Sequence, residues 1–542
     1  MTDQPPSASS AAPPPPTGEP FNAADWLVGR QAAATPSRPA LTALDADETA
    51  STVTYGELQS SVERAAAALL AAGIRAEERV LLVMADGSDL VAVFVAALHI
   101  GAVPVPLSTM ATAKDLAVVA ADSRARLLVV SPEFAAMAAG VAAWLPLTVV
   151  AGTSAPPGMS TWDAFLAAGE GGRAPAAQTV TDSPGFWLYT SGTTGTPKGA
   201  MHRHGSMRST AETYAADVLR IGPDDVCYSV AKIFFAYGLG NSLTFPFSVG
   251  ARAVLDRARP APDRAASILA AQRPTLFFAG PTFYAALLTA GVPADTFSSV
   301  RLCVSAGESL PADLYRRFTG RFGVEVLDGI GSTEALHIFL SNRPGRVRPG
   351  TTGEVVAGYE LRLEDDDGNL VADGNPGNLY VRGDSVGPGY WCRTEVSRRV
   401  FRGPWLRTGD TYVRDSDGYY TCLGRTDDVL KAGGIWVSPT EVETRLREHP
   451  GVEAAVVVSV PDADGLDKPV ACVVRAAGQQ PAEEELIHFC REGLAAYKRP
   501  RRVLFLETFP TTATGKLQRY KLREHATSVL AGERTPPDLE LV

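Results

Sequence analysis

From Phe21 to Cys422, short uninterrupted apolar runs alternate with stretches of helical period. "RVLLVMA" and "RLLVVS" offer no polar position to face water, the pattern of strands buried on both faces. "TYGELQSSVERAAAALLAAGI" (Thr54–Ile74) instead spaces its apolar residues as a helix does. Its Thr cap, with Glu57 three residues on, predicts a capping box. "PDRAASILAAQRPTLFFAG" reads as a helix then a buried strand, and "VRLCVSAGESLPADLYRRFTGRFG" as strand, turn and helix. This alternation predicts stacked α/β layers with ligands at the carboxyl ends of the strands. "LVAVFVAALHIGAVPVPL" (Leu90–Leu107) approaches membrane-spanning length, but Gly101, Pro104 and Pro106 interrupt it. A buried helix followed by an extended segment is expected there, not a membrane span.

The texture changes near Gly424. "GRTDDVLKAGG" is charged and glycine-rich, as a hinge would be, and is followed by the apolar runs "AAVVVSV" and "PVACVVRAA". The helical "AEEELIHFCREGLAAY" and the strand-like "RVLFLE" complete a unit of about a hundred residues, enough to fold on its own. The fold class expected is α/β: a large multi-layer N-terminal domain of sheets and helices, and a small mobile α+β C-terminal domain. Boundaries are placed at 1–20 for a Pro/Ser-rich disordered leader, 21–423 for the large domain and 424–428 for the hinge. The small domain takes 429–525 and a tail 526–542.

Composition narrows the function classes. A chain of 542 residues is too long for one ordinary core, and 45% hydrophobic with 20% charged residues fits a globular protein. A net charge of −10 argues against a nucleic-acid partner, which usually needs a basic face. None of the six cysteines forms a C-x-x-C pair, so reduced, small buried residues are expected at Cys227, Cys303, Cys392, Cys422, Cys472 and Cys490. Together with a leader that lacks the basic and apolar regions of a signal peptide, this points to the cytoplasm.

Candidate chemistry concentrates in "YTSGTTGTPKGAMHRH" (Tyr189–His204). Hydroxyls and unobstructed backbone N–H groups ending in a lysine suit phosphate oxygens. A Walker A loop would need its lysine directly after the second glycine, whereas Lys198 stands three residues beyond Gly195 with Pro197 before it. Further segments follow in order: "SAGESL" (Ser305–Leu310), "DGIGSTEALHIF" (Asp328–Phe339), "LRTGD" (Leu406–Asp410), the hinge-like "GRTDDVLKAGG" and "TTATGKLQR" (Thr511–Arg519).

This ordered set resembles the motifs of adenylate-forming enzymes, the superfamily of acyl-CoA synthetases, adenylation domains and firefly-type luciferases. The resemblance runs from Phe21 to about Arg523. It implies ATP, Mg²⁺ and coenzyme A as co-substrates and metal. By it, Thr190, Ser191, Gly192, Thr193, Thr194, Gly195 and Lys198 clamp the β- and γ-phosphates. Ser305, Ala306, Gly307 and Glu308 flank the adenine, and Asp328, Gly329, Ile330, Gly331, Ser332 and Thr333 supply adenine and phosphate contacts. Glu334 holds Mg²⁺ and, with Thr333 and Lys516, makes up the catalytic set. Asp410 and Arg425 meet the ribose, Asp427 is the hinge residue, and Gly433 and Gly434 line the channel for the CoA arm.

"AKIFFAYGLGNSLTFPFSVGA" (Ala231–Ala251) and "STEALHIFLSNRPG" are similar to benzoate–CoA ligases. The ring of a small aromatic acid is expected among Phe235, Ala236, Tyr237, Gly331, His337 and Ile338, with His337 donating to the carboxylate. Ala335 stands where that subfamily commonly has Met; the smaller side chain either enlarges the pocket, admitting an amino or hydroxyl substituent on the ring, or only repacks behind it, so benzoate and anthranilate are both candidates. An aryl-CoA ligase is the leading reading. A stand-alone enzyme loading an aryl acid onto a carrier protein is the alternative, since it would share every adenylation motif. A nucleotide-binding regulator on a retired scaffold should have lost groups that are all present here. The resemblance also implies a homodimer. Asp384–Ser385 in "RGDSVGPGY" looks a little like a phosphopantetheine attachment site, but lies mid-chain between strands and is read as a structural loop.

Overall fold

The computed structural model describes residues 17–191, 197–426, 430–432, 435–461, 467–494, 498–511 and 517–530. Its largest sheet has nine strands, in the order Glu354–Val355, Ile338–Ser341, Val326–Gly331, Leu302–Ser305, Leu276–Ala279, Val226–Ser229, Arg252–Asp256, Pro39–Leu44 and Ala50–Thr54. The six strands from Val326–Gly331 to Pro39–Leu44 are parallel, and the outer ones run antiparallel. Leu276–Ala279 and Leu302–Ser305 are buried at every position, as parallel strands covered by helices on both faces must be.

A second, wholly parallel sheet of five short strands includes Arg79–Val83 and Leu127–Val130, the two apolar runs noted in the sequence. Thr54 and Glu57 form the expected capping box: Thr54 Oγ1 accepts from Glu57 N at 3.3 Å and Glu57 Oε2 from Thr54 N at 2.9 Å. Ser88–His99 is a helix buried throughout Leu90–Leu98, and the prolines lie in the strand Val103–Pro106. No helix among the described residues is long and apolar enough to cross a membrane. An antiparallel sheet built on Pro376–Arg382, Trp405–Arg414 and Tyr420–Arg425 follows.

The smaller domain pairs Val452–Pro461 with Asp467–Arg475 antiparallel and adds Arg502–Leu506 in parallel. Helices Pro439–Arg447, Glu483–Gly493 and Arg519–Leu530 cover this sheet. The cysteine expectation holds for Cys227, Cys303, Cys472 and Cys490, which are buried, and fails for two others. Cys392 is exposed and Cys422 half-buried, because Cys392 sits in a surface turn and Cys422 on a strand whose inner positions are only partly covered.

Candidate active site

The loops after three parallel strands open at one edge of the central sheet. Val226–Ser229 leads into Ala231–Tyr237, Leu302–Ser305 into the "SAGESL" turn, and Val326–Gly331 into Ser332–His337. Such a carboxyl edge is where α/β sheets place ligands.

Pro184–Ser191 and Pro197–Arg203 form a hairpin in which Thr190 stands directly opposite Lys198. Gly192, Thr193, Thr194 and Gly195, the tip of this motif, lie outside the described residues, as does the side chain of Ser191. Tyr189 OH donates to Asp122 Oδ2 at 2.7 Å, and Gly199 lets the chain cross the Tyr189 ring, where a Cβ would lie 3.1 Å from it. The backbone of Gly389–Trp391 runs beside the hairpin: Met201 N donates to Gly389 O at 3.0 Å and Trp391 N to Gly199 O at 2.9 Å.

The loop Ser332–His337 turns sharply. Ser332 Oγ accepts from Ala335 N at 3.1 Å, and Leu336, buried and without the freedom of glycine, adopts φ +68°. A left-handed leucine is a strained conformation held by its surroundings, and such strain gathers at functional loops. It restarts the chain so that Ile338 pairs with Gly331 across the hairpin. Gly331 has to be glycine, since a Cβ there would meet His337 O at 2.5 Å. His202 Nε2 donates to Thr333 O at 2.8 Å, and its burial pushes the ring's pKa down to about 4, so it is neutral at physiological pH. Glu334 accepts from Tyr390 OH at 2.6 Å, and its backbone carbonyl accepts from Gly387 N at 2.8 Å.

Among the residues expected to meet the nucleotide, Ser305 pairs in register with Asp328 on the next strand. Burial holds the Asp328 carboxyl well above the usual carboxylate range. Gly307 turns at φ +95°, and Glu308 Oε2 accepts from Thr282 Oγ1 at 3.1 Å. Gly329 and Ile330 continue the strand beside Ile338–Ser341. On the antiparallel sheet Asp410 and Arg425 are cross-strand partners, with Arg425 Nη1 2.9 Å from Asp410 Oδ1. Gly409, at φ +77°, allows this guanidinium to pack against its backbone. Lys516, Asp427, Gly433 and Gly434 lie outside the described residues.

The aromatic segment is pinned from both sides. Ile233 N donates to Asp86 Oδ1 at 3.2 Å, and Tyr237 OH donates to Val304 O at 3.0 Å. Phe235, Ala236 and Tyr237 are half-buried, and the Tyr237 ring lies 5.6 Å from that of His337. His337 is fully enclosed: Tyr214 and Phe245 flank it at 5.5 Å and 4.4 Å, and its Nε2 meets Asn241 Oδ1 at 3.2 Å. Burial lowers its pKa to about 3, so the ring is neutral and carries one proton. Asn241 orients the imidazole through Nε2. Ala335 and Ile338 lie in one buried cluster with Phe339 and Tyr359. Ser385 is structural as expected, buried and donating to Ala335 O at 2.7 Å.

Asp86, Asn241 and Tyr390 were not singled out in the sequence, because each reaches its partner from a distant segment. Only Asp86, a lone carboxylate closing an apolar strand, carried a signal. Burial, opposed by the nearby Lys232 ammonium, pushes its carboxyl up to about 6. The folded chain thus binds this proton more tightly than the unfolded chain, whose carboxyl titrates near 3.9, and native stability falls as pH rises between about 4 and 6. Asp86→Asn removes that dependence. Its stability relative to the parent is expected to rise by about 2 kcal/mol between pH 4 and pH 7.5, measured by denaturant unfolding at both. A constant difference would contradict a raised Asp86 pKa in the fold.

Two family models match the chain: "AMP-binding enzyme" over residues 28–391 and "AMP-binding enzyme C-terminal domain" over 441–516. The benzoate–CoA ligase of Thauera aromatica is 44% identical over 514 residues, covering 93% of this chain and 96% of its own. The crystal structure of a benzoate CoA ligase from Burkholderia xenovorans superposes with TM-score 0.83 at 42% identity, over 93% of this chain and all of that one (100%). An anthranilate CoA ligase in complex with anthranoyl-AMP gives TM-score 0.86 at 37% identity, over 95% of this chain and 98% of its own.

Proposed function

The chain belongs to the AMP-binding enzyme family, and we propose that within it the protein is an aryl-CoA ligase acting through an acyl-adenylate. The observation that carries the aromatic substrate is the aromatic cluster in which the half-buried Tyr237 ring packs 5.6 Å from that of the neutral, buried His337, beside the half-buried Phe235 and Ala236. Benzoate or a small substituted benzoate such as anthranilate has the flat shape that such walls accept.

In the first half-reaction a carboxylate oxygen attacks the α-phosphorus of ATP, and pyrophosphate leaves in line. In the second the CoA thiol adds to the acyl carbon, loses its proton, and expels AMP. Both reactants of the first step are anions, so positioning and charge compensation carry the catalysis. Thr190 and Lys198, opposed on their hairpin, would hold the β- and γ-phosphates together with Ser191, Thr193 and Thr194. Lys516 would bridge the carboxylate and the α-phosphate, while Asp410 and Arg425 would open toward the ribose hydroxyls. No cluster of three or more metal-ligating side chains occurs among the described residues. A Mg²⁺ ion travelling with ATP asks for only one or two carboxylates, which Glu334 fits. Bound there, it would neutralise phosphate charge. The hinge at Asp427, with the boundary at 424–428, would let Lys516 withdraw so that a pantetheine arm can pass Gly433 and Gly434.

The test is ATP-dependent product formation followed by mass spectrometry. The acids should be benzoate, anthranilate, hydroxybenzoates, cinnamates and a medium-chain fatty acid, with CoA or a carrier protein as acceptor. An aryl-CoA and AMP are expected. Accumulated aryl-adenylate that only the carrier protein accepts would replace this reading with that of a loading enzyme.

A further inference from the structure

We infer that Tyr390 is a positioning residue for ATP activation, one phenol that aligns both the carboxylate of Glu334 and the ammonium of Lys198. The inference rests on the roles proposed above for those two groups. Tyr390 is buried, and its hydroxyl donates to Glu334 Oε1 at 2.6 Å, a short bond to a charged acceptor. The Lys198 Nζ lies 5.7 Å from the centre of the same ring. The two contacts use different parts of the side chain, so one residue sets the spacing between an anion and a cation borne on distant segments.

The chemistry suits both charges. A hydrogen bond to one carboxylate oxygen fixes the rotamer of Glu334 and leaves the other oxygen to face a metal. The face of an aromatic ring attracts an ammonium without donating or accepting a hydrogen bond, so the three N–H groups of Lys198 stay available to phosphate. An acidic partner in its place would neutralise the lysine.

The backbone makes the device rigid. Tyr390 is bridged to Ala200 on the lysine's own strand, and Gly387 N donates to Glu334 O at 2.8 Å. Ser397 Oγ accepts from Tyr390 N at 3.0 Å, and Phe401 packs edge-on at 5.4 Å. Immediately beyond, Asp122 gathers the next residues. Trp391 Nε1 donates to Asp122 O at 2.9 Å, and Arg393 pairs with the carboxylate at 2.6 Å beside the Tyr189 hydroxyl. The hairpin carrying Thr190 and Lys198 and the strap carrying Tyr390 are thus fastened to the same aspartate.

Two variants separate positioning from packing, read by calorimetric binding of ATP with excess Mg²⁺ and with EDTA. Tyr390→Phe keeps the ring but loses the hydroxyl. It is expected to weaken binding of ATP with Mg²⁺ by about 10-fold and leave metal-free binding within about 2-fold. Tyr390→Leu removes the ring as well and is expected to weaken both. The Mg²⁺ concentration for half-maximal pyrophosphate release should rise for Tyr390→Phe in parallel. If Tyr390→Phe matches the parent in both binding arms, or loses both equally, the positioning role is overturned. The binding arms need no aryl acid, so an inactive parent would refute the ligase reading while these titrations still decide the role of Tyr390.

Discussion

Replacing Lys516 by Ala is expected to slow formation of the aryl-adenylate by about 10²–10³-fold or more, while transfer from supplied aryl-adenylate to CoA stays within about 3-fold of the parent. The asymmetry follows from charge. A carboxylate approaching the α-phosphate repels it, and a cation between them acts mainly in the transition state, where the two anions come closest. In the second half-reaction a thiol attacks a neutral acyl carbon, and no such repulsion has to be cancelled. The described residues flanking Lys516 are well held. Thr511 pairs with Leu517 across it, and Gln518 N donates to Pro510 O at 2.8 Å. Next in the chain, Arg519 grips the buried Glu443 with two bonds, of 2.7 Å and 3.1 Å, and Glu443 in turn accepts from Val457 N at 2.8 Å. These flanking segments are thus anchored to the smaller domain on the side of Lys516 that follows it. Pyrophosphate release reports the first half-reaction and thioester yield from synthetic aryl-adenylate the second. Equal loss of both would refute the two-stage scheme.

What the sequence made legible were features whose cause is local. The runs at Arg79–Val83 and Leu127–Val130 had to be interior strands because no position could face water, and Thr54 with Glu57 closes its cap within one turn. The prolines after Ile100 broke a would-be span for steric reasons that hold in any fold. The phosphate hairpin was visible as a motif, yet nothing in it named Tyr390, because the strap that carries this residue meets the hairpin only in three dimensions. "RGDSVGPGY" was read as structural on account of Ser385, and that is correct for Ser385 while passing over the phenol at its end. The partner that orients His337 was hidden for the same reason. Asn241 lies in a π-helical turn at Gly240–Thr244, and helix register at that level is a property of packing and not of composition.

That turn is also where a single methyl group should do most damage to acid binding. Gly240→Ala places a Cβ 2.3 Å from His337 Cδ2 and 2.6 Å from Nε2, far inside contact distance. The imidazole has nowhere to retreat. Tyr214, Tyr237 and Phe245 surround it, and its backbone is fixed against Gly331, where even a Cβ would stand 2.5 Å from the His337 oxygen. Relief requires either pushing His337 against Tyr237 or unwinding the turn that holds Asn241, and both deform the wall that would face the ring. Forced methylenes in a packed core typically disturb it by about 1–3 kcal/mol, which converts to roughly a 5- to 150-fold loss when it falls on ligand binding. The expected result is a KM for the aryl acid raised by about 10-fold or more, with a smaller change in ATP affinity. Of the groups proposed for the nucleotide, Gly331 touches His337, while Asp410 and Arg425 lie on another sheet and the Thr190–Lys198 pair on a separate hairpin. Steady-state kinetics at saturating ATP, paired with ATP titration, separates the two effects. If the acid's KM is unmoved while thermal stability falls, His337 belongs to the core behind the site, and the recess that receives the ring lies elsewhere along the Ala231–Tyr237 segment.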